Sequence, residues 1–312
     1  MSDLQDFKES SERFGMQVEA QNTGPAEMAA RSRFLMCAPE HFDVEYVINP
    51  WMKGQLHAPD HARVASQWSD LRNLIRQSAE VVTLPPVKSL PDLVFTANAA
   101  LVYENVAVLS SFRCAERQPE APHNADWLRA HGFDVHMLPP GVLFEGAGDA
   151  LFDRRERLLW FGHGFRSDIS AKPFLEASTG IEVEALRLRD PRFYHLDTCF
   201  CPLEDGCLLY FPGAFTEESN ARIEARVTPG KRLAVEEEDA VRFTCNAVNI
   251  GGKVILNDTS PRTAAWLGER GFEVVKTPLS EFMRSGGAAK CLSLRLNEGY
   301  SPHGLGSKIT EL

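Results

Sequence analysis

One structural pattern recurs about every 50 residues along this chain: two short apolar runs flank a polar turn, a helix-like segment follows, and a third apolar run ends the unit. A polar or sulfur-containing residue stands at the start of each unit, at successive spacings of 49, 51, 50, 47 and 45 positions. These residues are Asn49, Asn98, Asp149, Cys199, Asn246 and Cys291. Periods of this length are typical of stacked or ring-like repeat proteins. A ring brings distant residues to one central point, so a cysteine, a histidine and several carboxylates become candidates for one site.

The second unit shows how the elements are predicted. Apolar runs at 99–103 and 106–109 surround a polar turn, residues 124–131 favour a helix that ends at Gly132, and residues 133–138 favour a strand. An open doubly wound sheet is the alternative. It is disfavoured because such sheets alternate single strands with helices, whereas here the strands come as hairpin pairs plus a third.

The last apolar run, residues 291–296, is predicted to be a strand with no unit after it. Pairing it with a strand at 34–38 would close a ring of five units and remove exposed sheet edges. The sequence therefore predicts an α/β fold in one domain, residues 31–312, preceded by a polar N-terminal arm, residues 1–30.

Composition excludes several classes of partner. The 312 residues are 44% hydrophobic, enough for a large core, and carry a net charge of −10, which mildly favours cationic ligands. No basic patch with interleaved aromatic residues predicts nucleic-acid binding, and no apolar run approaches the roughly 18 residues that span a bilayer. No nucleotide-binding glycine motif is present, so no cofactor is expected. Seven cysteines without framework spacing indicate reduced thiols and a cytoplasmic protein.

Two residues stand out as candidates for covalent and proton-transfer chemistry. Cys291 follows the small residues of Gly286-Gly287-Ala288-Ala289, so a ligand could approach its sulfur closely. Cysteine is a strong nucleophile only as the thiolate and then needs a partner that lowers its pKa. His195 can act as a general acid and base near neutral pH, and in a strand Asp197 would point to the same face. The alternatives are a buried structural cysteine and a hydrogen-bonded structural histidine.

An acidic turn offers a binding function. Glu145 and Asp149 flank Gly146-Ala147-Gly148, where a planar ligand could come close. A guanidinium group is planar, cationic and rich in hydrogen-bond donors, and it pairs well with carboxylates in its plane. The alternative is a solvated acidic turn. A zinc site is disfavoured, since the spacing of the candidate ligands lacks the usual cysteine pairs; those ligands are His195, Cys199, Cys201 and Cys207.

In this order, four motifs resemble the guanidine-modifying enzyme superfamily, which includes arginine deiminases, dimethylargininases, amidinotransferases and arginine dihydrolases. The motifs are Leu-Val-Phe-Thr-Ala-Asn at 93–98, Phe-Glu-Gly-Ala-Gly-Asp at 144–149, His-Leu-Asp at 195–197 and Ala-Lys-Cys-Leu-Ser at 289–293. The resemblance covers about residues 33–296 and implies a five-bladed α/β propeller of ββαβ units. It also implies Cys291 as nucleophile, His195 as acid and base, and Glu145 as the acidic partner.

The resemblance is strongest to arginine dihydrolases. Residues 162–167 look like a degenerate family motif, with glycine where serine is usual, which puts Arg166 forward as a clamp for the substrate α-carboxylate. Arginine deiminases carry an aspartate at the position of Asn98. An asparagine can donate a hydrogen bond to a ureido oxygen, and an ionised aspartate cannot. This favours hydrolysis of arginine, through a thiouronium intermediate, to ornithine, carbon dioxide and ammonia.

Several alternatives remain open at this stage. Hydrolysis of methylated arginine, amidino transfer to an amine, and binding without turnover all suit a small cationic ligand. Asp149 or Asp197, like Glu145, would hold the guanidinium. Asn49 either contacts the ligand or shapes the turn before Pro50. The sequence is compatible with a homo-oligomer but does not specify one.

Overall fold

The structure is a computed structural model that describes residues 32–299. The predicted arm at 1–30 lies outside the described residues. Within them, five three-stranded sheets form the blades of an α/β propeller, as predicted. In every blade one strand pair is antiparallel and the other is parallel. None of the described helices is long and apolar enough to cross a bilayer.

Blades two to five are each continuous in sequence. Their strands are β3 (Ala100–Tyr103), β4 (Val106–Leu109) and β5 (Asp134–His136) in blade two; β6 (Ala150–Phe152), β7 (Leu158–His163) and β8 (Glu182–Arg187) in blade three; β9 (Phe200–Leu203), β10 (Cys207–Tyr210) and β11 (Arg232–Ala234) in blade four; and β12 (Val248–Ile250), β13 (Lys253–Leu256) and β14 (Glu273–Lys276) in blade five. In each blade a hairpin is followed by a crossover that returns the third strand parallel to the second.

Blade one joins the two ends of the described chain. It contains β1 (Arg33–Cys37), β2 (Glu80–Leu84) and β15 (Leu294–Arg295). Strand β15 pairs antiparallel with β1, with Phe34 opposite Arg295. The predicted pairing is therefore confirmed, but the predicted strand at 291–296 is too long. Residues 291–293 form a turn, because the Cys291 N–H bonds to the Asn246 side chain and the Leu292 N–H to the Ala288 carbonyl.

The α-helices are α1 (His61–Arg76), α2 (Glu120–Ala130), α3 (Lys172–Thr179), α4 (Glu217–Arg226), α5 (Glu237–Val241), α6 (Pro261–Gly268) and α7 (Ser280–Met283). Helix α1 begins where the Asp60 carboxylate accepts the backbone N–H groups of Ala62 and Arg63, which satisfies donors that the helix itself leaves unpaired. It ends at Arg76, and from Glu80 onward the backbone pairs with β1.

Four apolar clusters hold the blades together as a ring. Leu35 of blade one packs with Val102 of blade two, and Leu101 packs with Phe161 of blade three. A third cluster joins blades three, four and five, and the last joins Ile255 of blade five to Phe34 of blade one. Since every blade is packed against both neighbours, the apolar free energy of folding depends on the whole ring.

Candidate active site

Short 3-10 turns begin three of the blades and bring their starting residues together. The turns at Thr96–Asn98, Gly146–Gly148 and Leu196–Thr198 precede β3, β6 and β9. The turn at Gly146–Gly148 contacts both of the others. The prediction that His195 and Asp197 share one face of a strand is wrong. The Leu196 N–H bonds to the Asp149 carboxylate rather than to a neighbouring strand, so the chain turns directly after His195.

A cleft of about 260 Å³ contains both of the predicted catalytic side chains, Cys291 and His195. They line the cleft without a hydrogen bond between them. The remaining lining residues come from the loop after β1, from the blade starts, from the loops after β4 and β7, and from the glycine-rich segment before Cys291. They are Ile48, Asn49, Met52, Asp92, Phe95, Asn98, Arg117, Arg166, Tyr194, Ser285, Gly286 and Gly287.

Glu145 and His195 form a fully buried pair. The Glu145 Oε2 atom lies 2.7 Å from His195 Nε2. Burial opposes ionisation of Glu145, but the Arg166 and Arg117 guanidinium groups and His195 outweigh it and lower the pKa. An ionised carboxylate only accepts, so the hydrogen of neutral His195 must be on Nε2 and the lone pair on Nδ1. Burial and Arg166 lower the pKa of His195 to about 4, despite Glu145, so the free enzyme holds it neutral at pH 7.

Arg166 lies against the same carboxylate. Its Nη1 donates to Glu145 Oε2 at 3.0 Å, its Nη2 donates to the Ile48 carbonyl at 2.9 Å, and its guanidinium stacks on the Tyr194 ring at 4.6 Å. These contacts fix the guanidinium at the wall of the cleft. It can therefore present positive charge to a bound anion without reorganising.

The sulfur of Cys291 is held by two polar side chains. Asn246 Nδ2 lies 3.0 Å from Sγ, and the Asp197 carboxylate oxygens lie 3.4 and 3.6 Å from it. Burial and the nearby Asp197 raise the pKa of the thiol, so without a ligand Cys291 is protonated. Burial also raises the pKa of Asp197, to about 6, although Lys290 opposes this.

Asn98 has a single defined orientation. Arg117 Nη1, which can only donate, lies 2.9 Å from Asn98 Oδ1, and Asn98 Nδ2 donates to the Glu145 carbonyl at 3.0 Å. Arg117 is itself held by a bidentate contact with Glu120, at 2.7 and 2.8 Å. Because an amide nitrogen carries two hydrogens, Asn98 keeps one for a ligand in the cleft.

Asp149 is placed behind the cleft rather than on its wall. Its carboxylate accepts the Ser167 hydroxyl at 2.6 Å and the Leu196 N–H at 3.0 Å. A Cβ on Gly148 would overlap the Asn98 amide and lie 3.5 Å from the His195 ring. The small residues of the acidic turn therefore admit neighbouring side chains, and Asp149 positions the turn that follows His195.

Asp92, which the sequence prediction missed, is the carboxylate that lines the cleft itself. It accepts the Tyr46 hydroxyl at 2.9 Å and the Ser285 hydroxyl at 3.2 Å. Asn49 also lies on the wall, with Nδ2 donating to Tyr194 Oη and the Ser285 carbonyl, while Oδ1 caps the turn at 50–52. Its side-chain hydrogen bonds are thus used to shape the cleft.

Arg117 and Asn246 were likewise not selected as site residues from the sequence. Asp92 directly precedes the motif at 93–98, and Asn246 starts the fifth unit, so position offered a signal for both. Nothing local to Arg117 marks it. Across residues 32–299, no three or more His, Cys, Asp or Glu side chains are grouped so as to hold a metal ion.

Comparison with known proteins agrees with this geometry. Residues 43–297 match the family model described as N,N dimethylarginine dimethylhydrolase, eukaryotic. The bifunctional arginine dihydrolase/ornithine cyclodeaminase of Nostoc sp. is 52% identical over 271 residues, which cover 87% of this chain and 38% of that protein. The dimethylarginine dimethylaminohydrolase of Mycobacterium tuberculosis is 37% identical over 88% of this chain and 89% of its own length.

A solved structure is similar throughout. It is the substrate-bound N-terminal domain of a cyanobacterial arginine dihydrolase in which a cysteine is replaced by serine. The two structures superpose with a TM-score of 0.85 at 51% sequence identity, over 86% of this chain and 99% of that domain. The chain thus spans about two fifths of the full bifunctional relatives and nearly all of this domain. The chain belongs to the dimethylarginine dimethylaminohydrolase family of α/β propellers.

Proposed function

We propose that this protein is an arginine dihydrolase, which converts arginine to ornithine, carbon dioxide and two ammonia. The observation that carries the proposal is the fixed amide of Asn98. Its second Nδ2 hydrogen has no acceptor among residues 32–299, and it can bind the oxygen of a ureido group and hold that intermediate for a second hydrolysis. The similarity to a substrate-bound dihydrolase domain supports the same conclusion.

Substrate binding follows from the charges on the cleft wall. Asp92 is the carboxylate available to the guanidinium, and Arg166 presents positive charge to the α-carboxylate. A cationic guanidinium beside Sγ favours the thiolate, so the substrate itself offsets the burial that keeps Cys291 protonated. The nucleophile is thereby activated mainly when substrate is present.

In the first step the sulfur of Cys291 bonds to the central guanidino carbon. His195 Nδ1 relays the thiol proton to the departing nitrogen, which leaves as ammonia, and a thiouronium remains on Cys291. His195 then takes a proton from water as its oxygen attacks the same carbon; the C–S bond breaks, the proton returns to the Cys291 sulfur, and a ureido group is left. Glu145 stabilises the imidazolium formed in each transfer, through the contact at 2.7 Å.

The second round acts on the ureido group that results. Asn98 donates to its oxygen while Cys291 attacks again and the second ammonia leaves. Water releases a carbamate, which loses carbon dioxide to give ornithine. Two waters are consumed, and Cys291 is regenerated as the thiol.

Asp197 and Asn246 position the sulfur from behind. Asn246 Oδ1 accepts the N–H groups of Cys291 and Ala288, both at 3.1 Å, and its Nδ2 donates to Sγ and to the Asp197 carbonyl. We assign both residues a positioning role rather than contact with substrate. All seven cysteines are unpaired, which supports a reducing, cytoplasmic location.

Hydrolysis of dimethylarginine is the second candidate, favoured by the relative from Mycobacterium tuberculosis that matches over most of its length. The discriminating test is incubation of the purified protein with each substrate, followed by mass spectrometry. Ornithine from arginine supports the proposal. Dimethylamine from dimethylarginine, without turnover of arginine, supports the second candidate, and Cys291→Ser provides the inactive control in both cases.

A further inference from the structure

A second and larger cavity lies behind the nucleophile. It takes in about 440 Å³ of space between atoms, part of it open to solvent, and an adjoining space of about 280 Å³ shares part of its wall. We call the two together the rear cavity, defined by the five residues they share: Leu151, Arg154, Lys290, Arg295 and Glu298. Cys291 lines the front cleft and the preceding Lys290 lines the rear cavity, so this short turn separates the two spaces.

Positive charge dominates the wall of the rear cavity. Among the residues of 32–299 that line it, three cationic side chains, Arg154, Lys290 and Arg295, face one carboxylate, Glu298. Arg154 takes both oxygens of Glu298, at 2.5 and 3.0 Å, whereas Arg295 Nη1 is 4.0 Å away. Lys290 Nζ has no carboxylate within 4.0 Å among residues 32–299, and its hydrogen bond is to the Ala147 carbonyl at 3.5 Å.

Arg295 carries a donor that no acceptor among residues 32–299 uses. Its Nη2 donates to Ser32 Oγ at 3.1 Å and to the Asn249 carbonyl at 3.3 Å, and its guanidinium lies 5.1 Å from the centre of the Phe34 ring. Its Nε is buried without an acceptor among the described residues. The side chain is only 14% exposed. Glu204, the other acid close to Arg295, accepts the N–H groups of Gly251 and Gly252 instead.

Buried cations without a matching anion are costly, and an oxyanion that binds two or more of them offsets that cost through charge-assisted hydrogen bonds. Burial lowers the pKa of Lys290, although the nearby Asp197 and Glu298 act in the opposite direction. Most of the rest of the wall is apolar and includes Phe200 and Val248, so it suits a compact apolar body.

We propose that the rear cavity binds a small organic anion, whose carboxylate or phosphate group pairs with Lys290 and Arg295 and whose apolar part packs in the cavity. This site is separate from the front cleft and does not depend on which guanidino compound the enzyme hydrolyses.

The test uses para-bromobenzoate and inorganic phosphate as probes. In titration calorimetry of the Cys291→Ser variant, with arginine filling the front cleft and ionic strength held constant, at least one probe should bind with one site per chain. Arg295→Gln should weaken that binding about tenfold or more, because a charge-assisted pair is lost. Arg222→Gln, which alters an arginine that is 59% exposed on the surface, should leave it unchanged.

The two probes identify the source of the oxyanion. Binding of the carboxylate points to an organic acid, and binding of phosphate alone points to a phosphate-bearing ligand. A crystal of the unsubstituted protein soaked in para-bromobenzoate gives a readout that does not depend on any variant folding. A bromine anomalous peak beside Arg295 supports the proposal. Absence of binding by both probes, or a peak confined to the front cleft, overturns it.

Discussion

Asn246→Ala tests how the structure prepares the nucleophile. The substitution removes the donor 3.0 Å from Cys291 Sγ and the acceptor for the N–H groups of Cys291 and Ala288. A hydrogen bond to a charged group contributes about 1.5–3 kcal/mol, so its loss should reduce kcat by about 10- to 100-fold. The same free energy corresponds to a rise of about one to two units in the pKa of the Cys291 thiol.

Loss of stability alone could also lower activity, so the assay must separate the two effects. Leaving two buried N–H groups unpaired costs about 1–3 kcal/mol each, which urea unfolding would detect. The matched control is Asn257→Ala, which removes a side chain that bridges the Arg242 carbonyl and the Leu279 N–H in the same blade, away from the cleft. It should lose stability without changing the thiol.

The decisive readout is the pH dependence of alkylation of Cys291 by iodoacetamide. In Asn246→Ala the alkylation profile should move to higher pH, and in Asn257→Ala it should match the wild type. If the Asn246→Ala profile coincides with the wild type while the protein remains folded, Asn246 has no part in preparing the thiolate.

Three further changes probe other parts of the site. The Asn98→Asp variant should release citrulline from arginine, because the donor for the ureido oxygen is lost. Chromatography of the products checks this, and an unchanged yield of ornithine would count against the role of Asn98. The Gly148→Ala variant should lose activity and about 1–3 kcal/mol of stability, because the new Cβ overlaps the Asn98 amide. Urea unfolding measures the loss of stability, and an unaffected variant would contradict the close packing. Burial lowers the pKa of His195 to about 4, below its value of about 6.5 in the unfolded chain. Between these two pH values the folded state binds fewer protons than the unfolded state. The contribution of His195 to stability therefore falls as the pH drops from 6.5 towards 4. In His195→Gln the free energy of unfolding should therefore depend less on pH between 6.5 and 4. Urea unfolding at several pH values measures this, and the same pH dependence in both proteins would refute the lowered pKa of His195. Asp197, with a pKa raised to about 6, makes stability rise as the pH drops from about 6 to 3.8. Because Asp197 is present in both the wild type and His195→Gln, the difference between the two proteins reports on His195.

The ring could be predicted from the sequence because its cause is local and repeated. Each hairpin carries its own turn residues and apolar runs, and the helix starts carry capping side chains such as Asp60 and Ser260. Closure between β1 and β15 followed from the unpaired last run. The boundaries were less predictable where side chains compete for the backbone, as Asn246 does at Cys291 and Asp149 does after His195.

The cleft was harder to predict, since burial and hydrogen bonding depend on where other blades arrive. The acidic turn suggested that Asp149 faces a ligand, yet Ser167 and Leu196 occupy its carboxylate. Conversely, the position of Asp92 beside the motif at 93–98 was its one signal, and nothing local to Arg117 showed that it would line the cleft. Residue type thus identified the chemistry available, while tertiary contacts decide which groups face the ligand.

The dihydrolase mechanism is tested most directly by the stoichiometry of ammonia and ornithine released from arginine by the purified protein, with Cys291→Ser as the control. The mechanism predicts two ammonia for each ornithine, and no release of either by the control. One ammonia with citrulline as the end product, or turnover that survives in Cys291→Ser, would contradict it.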